Sequence, residues 1–482
     1  AANFVAMTAA NGLTLSAVTA TNGYIDLLVN AGNMTIGNLA AGTFIVLDTR
    51  AGNMVLGDIS SGEDTDIEAV GSVQFGNAVT GLEFAIEALG NITGGNVNAS
   101  GAVPTTSYSV GLLSQTGNIQ VGNLTGARNI GFIAAGTITA GSLSSGENIV
   151  VLGTGDIAFG GPVTTGSAAN RYFYVGNASM VSALGPDFDP TPLFALAPVR
   201  TTGGLAVNGG VSSGNVRAGV GTGANFGGTV TAATGGIAIT ANSITAQAMS
   251  GALGVNLTTT SGALGTGAIS ASAGNIVLTS AGTITAGTLA TGTGANLAVT
   301  VDGQGAVSIG GVTATGAAQL RSRAASFTST GAITAAAVSI SGTAATLANV
   351  TATTAGITIG ATGGNLAFGA LSSATNTQFN VTGSVTGGDI TAGTSIGTIV
   401  TGNMTLGNLR TTAAGTTSTG FNIGLGAGGT ITTGTINSFG LLGIGSDDGQ
   451  GNFGNATSIT TGAITAGGTV LARANQGIVT GA

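Results

Sequence analysis

The phrase GNMTIGNLAAG opens at Gly32, and GNMVLGDISSG opens at Gly52. A chain that repeats itself at so short an interval cannot make a domain of each copy. About 20 residues bury too little apolar surface alone, so the copies must stack on one another. With the opening glycine as origin, further copies start at Gly71, Gly90, Gly117, Gly136 and Gly155, in steps of 20, 19, 19, 27, 19 and 19 residues. The one long step contains NASGAVPTTSYS.

The columns of the repeat give its conformation. Two residues after the glycine stand Met34, Met54, Val73, Ile92, Ile119, Ile138 and Ile157. Four after stand Ile36, Leu56, Phe75, Val121 and Phe159, with the small Gly94 and Ala140 in the same column. Ile45, Phe84, Ile130 and Ile149 follow thirteen after, and Leu47, Ile67, Ile86, Phe132 and Val151 fifteen after. Apolar residues two apart put their side chains on one face of a strand. Each copy therefore reads as two short strands joined by glycine-rich turns, and the fold class is all-β. The expected architecture is a parallel β-helix, or β-solenoid, with coils of 19–20 residues. Its hand is expected to be right, as for other parallel crossovers. At ~4.8 Å per coil, about two dozen coils would make a rod on the order of 100 Å long.

Asparagine recurs one residue after the glycine (Asn33, Asn53, Asn91, Asn118) and six after it (Asn38, Asn77, Asn96, Asn123, with Asp58 in one copy). Two readings fit. Stacked amides can bond to one another up the coils, or asparagine is there because it tolerates tight turns. Beyond Gly282 the phrase persists, as GTITAGTLATG and then GNMTLGNLRTT at Gly402, in a sequence richer in Gly, Ala and Thr. The expected organisation is a regular solenoid over 1–165, an insertion over 166–200, and a less regular solenoid over 201–482.

Composition narrows the function. Glycine is 89 of 482 residues and charged residues are 5%, yet 43% of the chain is hydrophobic, so a core can form. The chain has no Cys, His or Trp, and all nine basic residues are Arg. That excludes disulfides and any Cys- or His-ligated metal. A net charge of −8 with no basic cluster argues against nucleic acid as a partner. No apolar run reaches the ~18 residues of a transmembrane span. The opening AANFVAMTAANG has neither a charged leader nor a long apolar stretch, and the chain begins and ends in repeat-like sequence. A processed chain or part of a longer one is expected.

The phrases GNIQVGNLTG, GTITAGSLSSG and GDIAFGG, at a 19-residue step, resemble the repeats of filamentous-haemagglutinin-type adhesins. Those are bacterial proteins exported by two-partner secretion. The resemblance covers most of the chain, but it is a repeat style and brings no catalytic motif. It implies an extracellular, bacterial-surface protein. Such a protein mediates attachment to a host or cell-surface glycan or protein, or builds extracellular structure. The alternative is a structural protein assembling with other copies of itself into a fibre or surface layer.

Five of the six prolines fall between Pro162 and Pro198, and proline cannot donate to a strand ladder. The same stretch holds Tyr172, Phe173, Tyr174, Phe188 and Phe194. Either these aromatics contact a ligand or partner, or the stretch is a flap over the outward apolar positions Ile133, Val150 and Leu152. A second irregularity is acidic. Asp64 and Glu83 both lie twelve residues after their glycine, and Asp48, Glu68 and Glu87 sixteen after. Stacked carboxylates repel, and calcium held by Asp64, Glu68, Glu83 and Glu87 would relieve that; the other reading is a solvated acidic face. Asp187 with Asp189, and Asp447 with Asp448, are weaker candidates for calcium.

Parallel β-helices host polysaccharide lyases and hydrolases, so the fold alone does not exclude catalysis. Asp48, Arg50, Asp64, Glu68 and Glu83 could be drawn as a lyase-like site. No His, Lys or Cys is available as base or nucleophile, however, and no Trp or Tyr stands in the matching columns to stack a sugar. The expectation is a protein that is not an enzyme.

Overall fold

The computed structural model describes residues 3–101, 108–184, 189–416, 420–447, 453–454 and 456–481. It is a β-solenoid of parallel strands with coils about 20 residues apart, 56% strand and 2% helix. The chain divides into two compact units, Ala1–Ala252 and Leu253–Ala482.

In the first unit most coils contribute one longer strand to one face and two short strands to the rest of the circuit, which Leu13–Ala20 and Met34–Ala41 replace by a single strand in the first coils. One coil runs through Ile45–Thr49, Met54–Leu56 and Ile59–Ser61 before the next long strand, Thr65–Ala69. The long strands pair in parallel, Ile45 with Thr65 and then Thr65 with Phe84. Alternation decides what is buried: Thr65, Ile67 and Ala69 point inward, while Asp66 and Glu68 point out. Ile25, Leu27, Ile45, Leu47 and Phe84 are fully buried, so the inward columns read from the sequence form the core.

The opening glycines follow from coil-to-coil proximity. A Cβ on Gly52, whose φ is +127°, would lie 2.2 Å from the carbonyl oxygen of Gly32. One coil later, a Cβ on Gly71 would meet the oxygen of Gly52 at the same distance. No larger residue fits there.

The asparagines do bond up the stack, mostly through a backbone partner in place of a neighbouring amide. Each side-chain oxygen accepts the backbone N–H of the equivalent residue one coil on. Asn33 accepts from Asn53 at 2.9 Å, Asn53 from Ser72 at 2.7 Å, Ser72 from Asn91 at 3.0 Å and Asn91 from Asn118 at 2.8 Å. The second column runs Asn38, Asp58, Asn77, Asn96 and Asn123 in the same way. The bond is thus amide oxygen to backbone, and it satisfies donors that the turns leave outside the strand ladders.

The second unit repeats the plan, with long strands such as Gly254–Thr259, Ile276–Ser280, Val299–Gly303 and Ala317–Ser322 paired in parallel. Its bonds between asparagine oxygens and backbone reappear at Asn365, Asn403 and Asn408.

The insertion is shorter than its prolines suggest. Tyr172–Gly176 is itself a long-face strand, paired in parallel with Ile149–Gly153 and with Asn215–Gly219. The chain departs only after Gly176, and its described residues include the 3-10 turns Ala178–Ala183 and Thr191–Ala195. It rejoins the coil at Leu205–Val207, which pairs with Ile157–Phe159.

Candidate functional site

On the outer side of the long face, in-register pairing builds two columns. One runs Asp66, Ala85, Gly111, Gly131, Val150 and Tyr174; the other runs Glu68, Glu87, Leu113, Ile133 and Leu152. Along the stack the face changes from anionic, through glycine-floored, to bulky and apolar.

The bulky end is covered. Val150, Leu152, Tyr174, Met180, Leu193 and Phe194 form one buried cluster, with Ile133, Tyr172, Ala183 and Leu184 packed against it. Ile149–Gly153 is accordingly buried on both faces. The flap expected from the outward Ile133, Val150 and Leu152 is therefore present. Polar contacts fasten it. The Arg217 guanidinium donates to the carbonyl oxygens of Phe194 and Leu196 and lies 5.5 Å from the Tyr172 ring centroid. Asn177 accepts from the Ser179 N–H at 2.9 Å and caps the first turn.

The aromatic residues expected to meet a partner mostly pack inward. Phe173 and Tyr174 are fully buried and Phe194 is 9% exposed. Phe173 faces the core and meets Phe159 edge-on, with ring centroids 6.2 Å apart. Tyr172 stacks on Phe194 at 4.2 Å and keeps only partial access to solvent. Burial pushes the Tyr174 phenol up to about 12, against the pull of Arg217. Display of these four side chains as a set is ruled out by that packing. Phe188, Asp187 and Asp448 lie outside the described residues, as does the side chain of Asp447.

The acidic residues stack as their spacing suggests, but on separate columns. Glu68 stands between Asp48 and Glu87 on the strands, with Arg50 at 3.8 Å from Asp48. Asp64 and Glu83 sit at the preceding corner, where the Glu83 N–H donates to Asp64 at 3.1 Å. Asp64, Glu68, Glu83 and Glu87 do not converge as a calcium ligand set. Among the described residues no three acids are grouped so as to hold a metal ion. Burial, then Asp64 and Asp66, push the Glu83 carboxyl up to about 7. Desolvation, then Glu87 and Asp64, raise Asp66, and desolvation, then Asp66, Asp48 and Glu87, raise Glu68.

Between the acids and the flap lies a cavity of about 660 Å³. Asp66, Glu68, Glu83 and Glu87 line one end, Ala85, Gly111 and Gly131 the floor, and Leu113, Ile133, Val181 and Leu184 the other end. Tyr108 closes a side. Its ring lies over Gly131, where a Cβ would come within 2.5 Å of it, so glycine is required there. Sequence reasoning missed this cavity and the roles of Tyr108 and Asp66. The signal was the shrinking column Asp66, Ala85, Gly111, Gly131, which the 27-residue step put out of alignment.

A second cavity of about 500 Å³ lies beside Tyr172 and Asp189. In it Glu147 accepts from Arg128 at 3.3 Å and from Arg171 at 2.9 Å, and Asp189 accepts from the Thr191 N–H at 3.0 Å.

No family model, curated protein or solved structure matches this chain.

Proposed function

We propose that the chain is a non-catalytic β-solenoid scaffold of a secreted, bacterial surface protein that mediates attachment, in the manner of the filamentous-haemagglutinin-type adhesins its repeats resemble. The observation that carries this reading is the recurrence, coil after coil, of one backbone-bonding scheme from Asn33 to Asn123. Such a sequence spends its residues on extension and surface. The chemistry on offer points the same way. The chain has no His, Lys or Cys, and its clustered carboxylates stand in columns on an outward face with repeat spacing. Arg128, Arg171, Arg200 and Arg217 are engaged by carboxylates or carbonyl oxygens, so none of the four is poised as a base.

The test is labelling of intact producing cells with an antibody raised against the purified chain, together with attachment of chain-coated beads to cells or polysaccharide surfaces. The expected result is labelling without permeabilisation and retention of coated beads above uncoated ones. Labelling seen only after permeabilisation would sink the surface assignment, and beads that never attach would sink the adhesive one.

A further inference from the structure

The cavity between the acids and the flap has a polarity that selects a ligand. Glu68 and Glu87 face one another across adjacent strands and place like charge on the same rim. Glu87 has one partner, the Gln115 amide at 2.7 Å, which does not neutralise it. No arginine lines this cavity. On the next two strands the wall is Leu113 and then Ile133, closed by Val181 and Leu184 of the flap. Gly111 and Gly131 hold the floor open between them, and a Cβ on Gly111 would meet only the Tyr108 Cβ, at 3.8 Å.

Tyr108 supplies an independent pointer. It is only 8% exposed, it lines the cavity, and it makes no side-chain hydrogen bond among the described residues. Its hydroxyl is not shut off from solvent, so it stays open to a ligand donor or acceptor entering the cavity.

We propose that this cavity binds an organic monocation carried on an apolar body, the arylalkylammonium class, with the ammonium between Glu68 and Glu87 and the hydrocarbon over Gly111 toward Ile133 and Leu184. Its volume suits a small molecule of this kind. Nine of the seventeen carboxylates lie before residue 90, against Arg50 alone, so the surrounding field also favours a cation. This assignment goes beyond the scaffold role and does not depend on it.

The experiment is calorimetric titration of the full chain with 4-phenylbutylammonium, with 4-phenylbutyrate (same body, opposite charge) and butylammonium (same charge, no ring) as comparisons. The expected dissociation constant for the first is on the order of 100 µM, a usual efficiency for a ligand of that size. The other two should bind at least tenfold more weakly. Gly111→Leu puts a side chain onto the floor, where its Cβ meets only the Tyr108 Cβ, and should abolish binding. The double variant Glu68→Gln/Glu87→Gln alters only exposed side chains and should weaken binding about tenfold, so it decides the matter if the leucine variant fails to fold. Equal binding of the butyrate, no binding of the ammonium at millimolar concentration, or unchanged binding by the double variant each overturns the proposal.

Discussion

Glu83 is a carboxylate held well away from the ordinary range of its type. Its carboxyl titrates near 7 because it is partly buried beside Asp64 and Asp66. Between its ordinary value and about 7 the folded chain holds a proton that the unfolded chain has released. The stabilising contribution is therefore complete at low pH and is lost as pH rises through about 7. Asp66 and Glu68 are raised as well and act in the same direction. The melting midpoint should accordingly be a few degrees higher at pH 5 than at pH 8, and Glu83→Gln should shrink that difference. An equal difference in the variant would show that another group sets it. At this scale the sequence was informative about position and less so about bonding. Asp64, Glu68, Glu83 and Glu87 fell into their columns by counting alone. Convergence on a metal could not be read that way, since residues at offsets twelve and sixteen occupy different columns. The asparagines likewise were legible as columns, while the choice of backbone N–H over neighbouring amide depends on turn geometry that spacing does not specify.

At the scale of the element, the flap shows what patterning can and cannot reveal. Outward Ile133, Val150 and Leu152 demanded a cover, and the only proline-rich stretch near them supplied it. What misled was treating every residue of that stretch as part of the departure. Tyr172–Gly176 pairs in register with the solenoid strands on either side, yet its aromatic content drew attention away from its place in the ladder. The flap's hold on the face rests on few side chains. Leu193 is fully buried in that cluster, and Leu193→Ala should cost about 2–5 kcal/mol of local stability. Amide exchange between residues 177 and 200 should accelerate and a hydrophobic dye should gain a binding surface, while Ile130–Ala134 keeps its protection. Simultaneous loss of protection in both would mean that flap and coils unfold as one.

Across the whole molecule the ladders join each coil chiefly to the coils before and after it, so within each unit stability is close to a sum of neighbouring terms. Phe327, fully buried in the second unit, pairs with Val307 on one side and Ala345 on the other. Phe327→Ala should cost about 3–5 kcal/mol. Hydrogen exchange should quicken within a few coils of residue 327 and stay unchanged at Phe84–Ala88 in the other unit. Uniform acceleration across the chain would contradict nearest-neighbour behaviour. Repetition made this scale the most legible of the three, because the period alone dictates stacking. The close approach of glycine to carbonyl at Gly52 and Gly71 adds a constraint on heredity. One codon gained or lost inside a strand would turn the remaining inward residues of that strand outward, and would slide a side chain into a space that admits only hydrogen. A duplication or loss of one full circuit, about 20 codons, leaves each surviving contact in place. The gene is thus free to change length in whole circuits, or raggedly at a corner such as the one where the flap departs, and hardly at all in between.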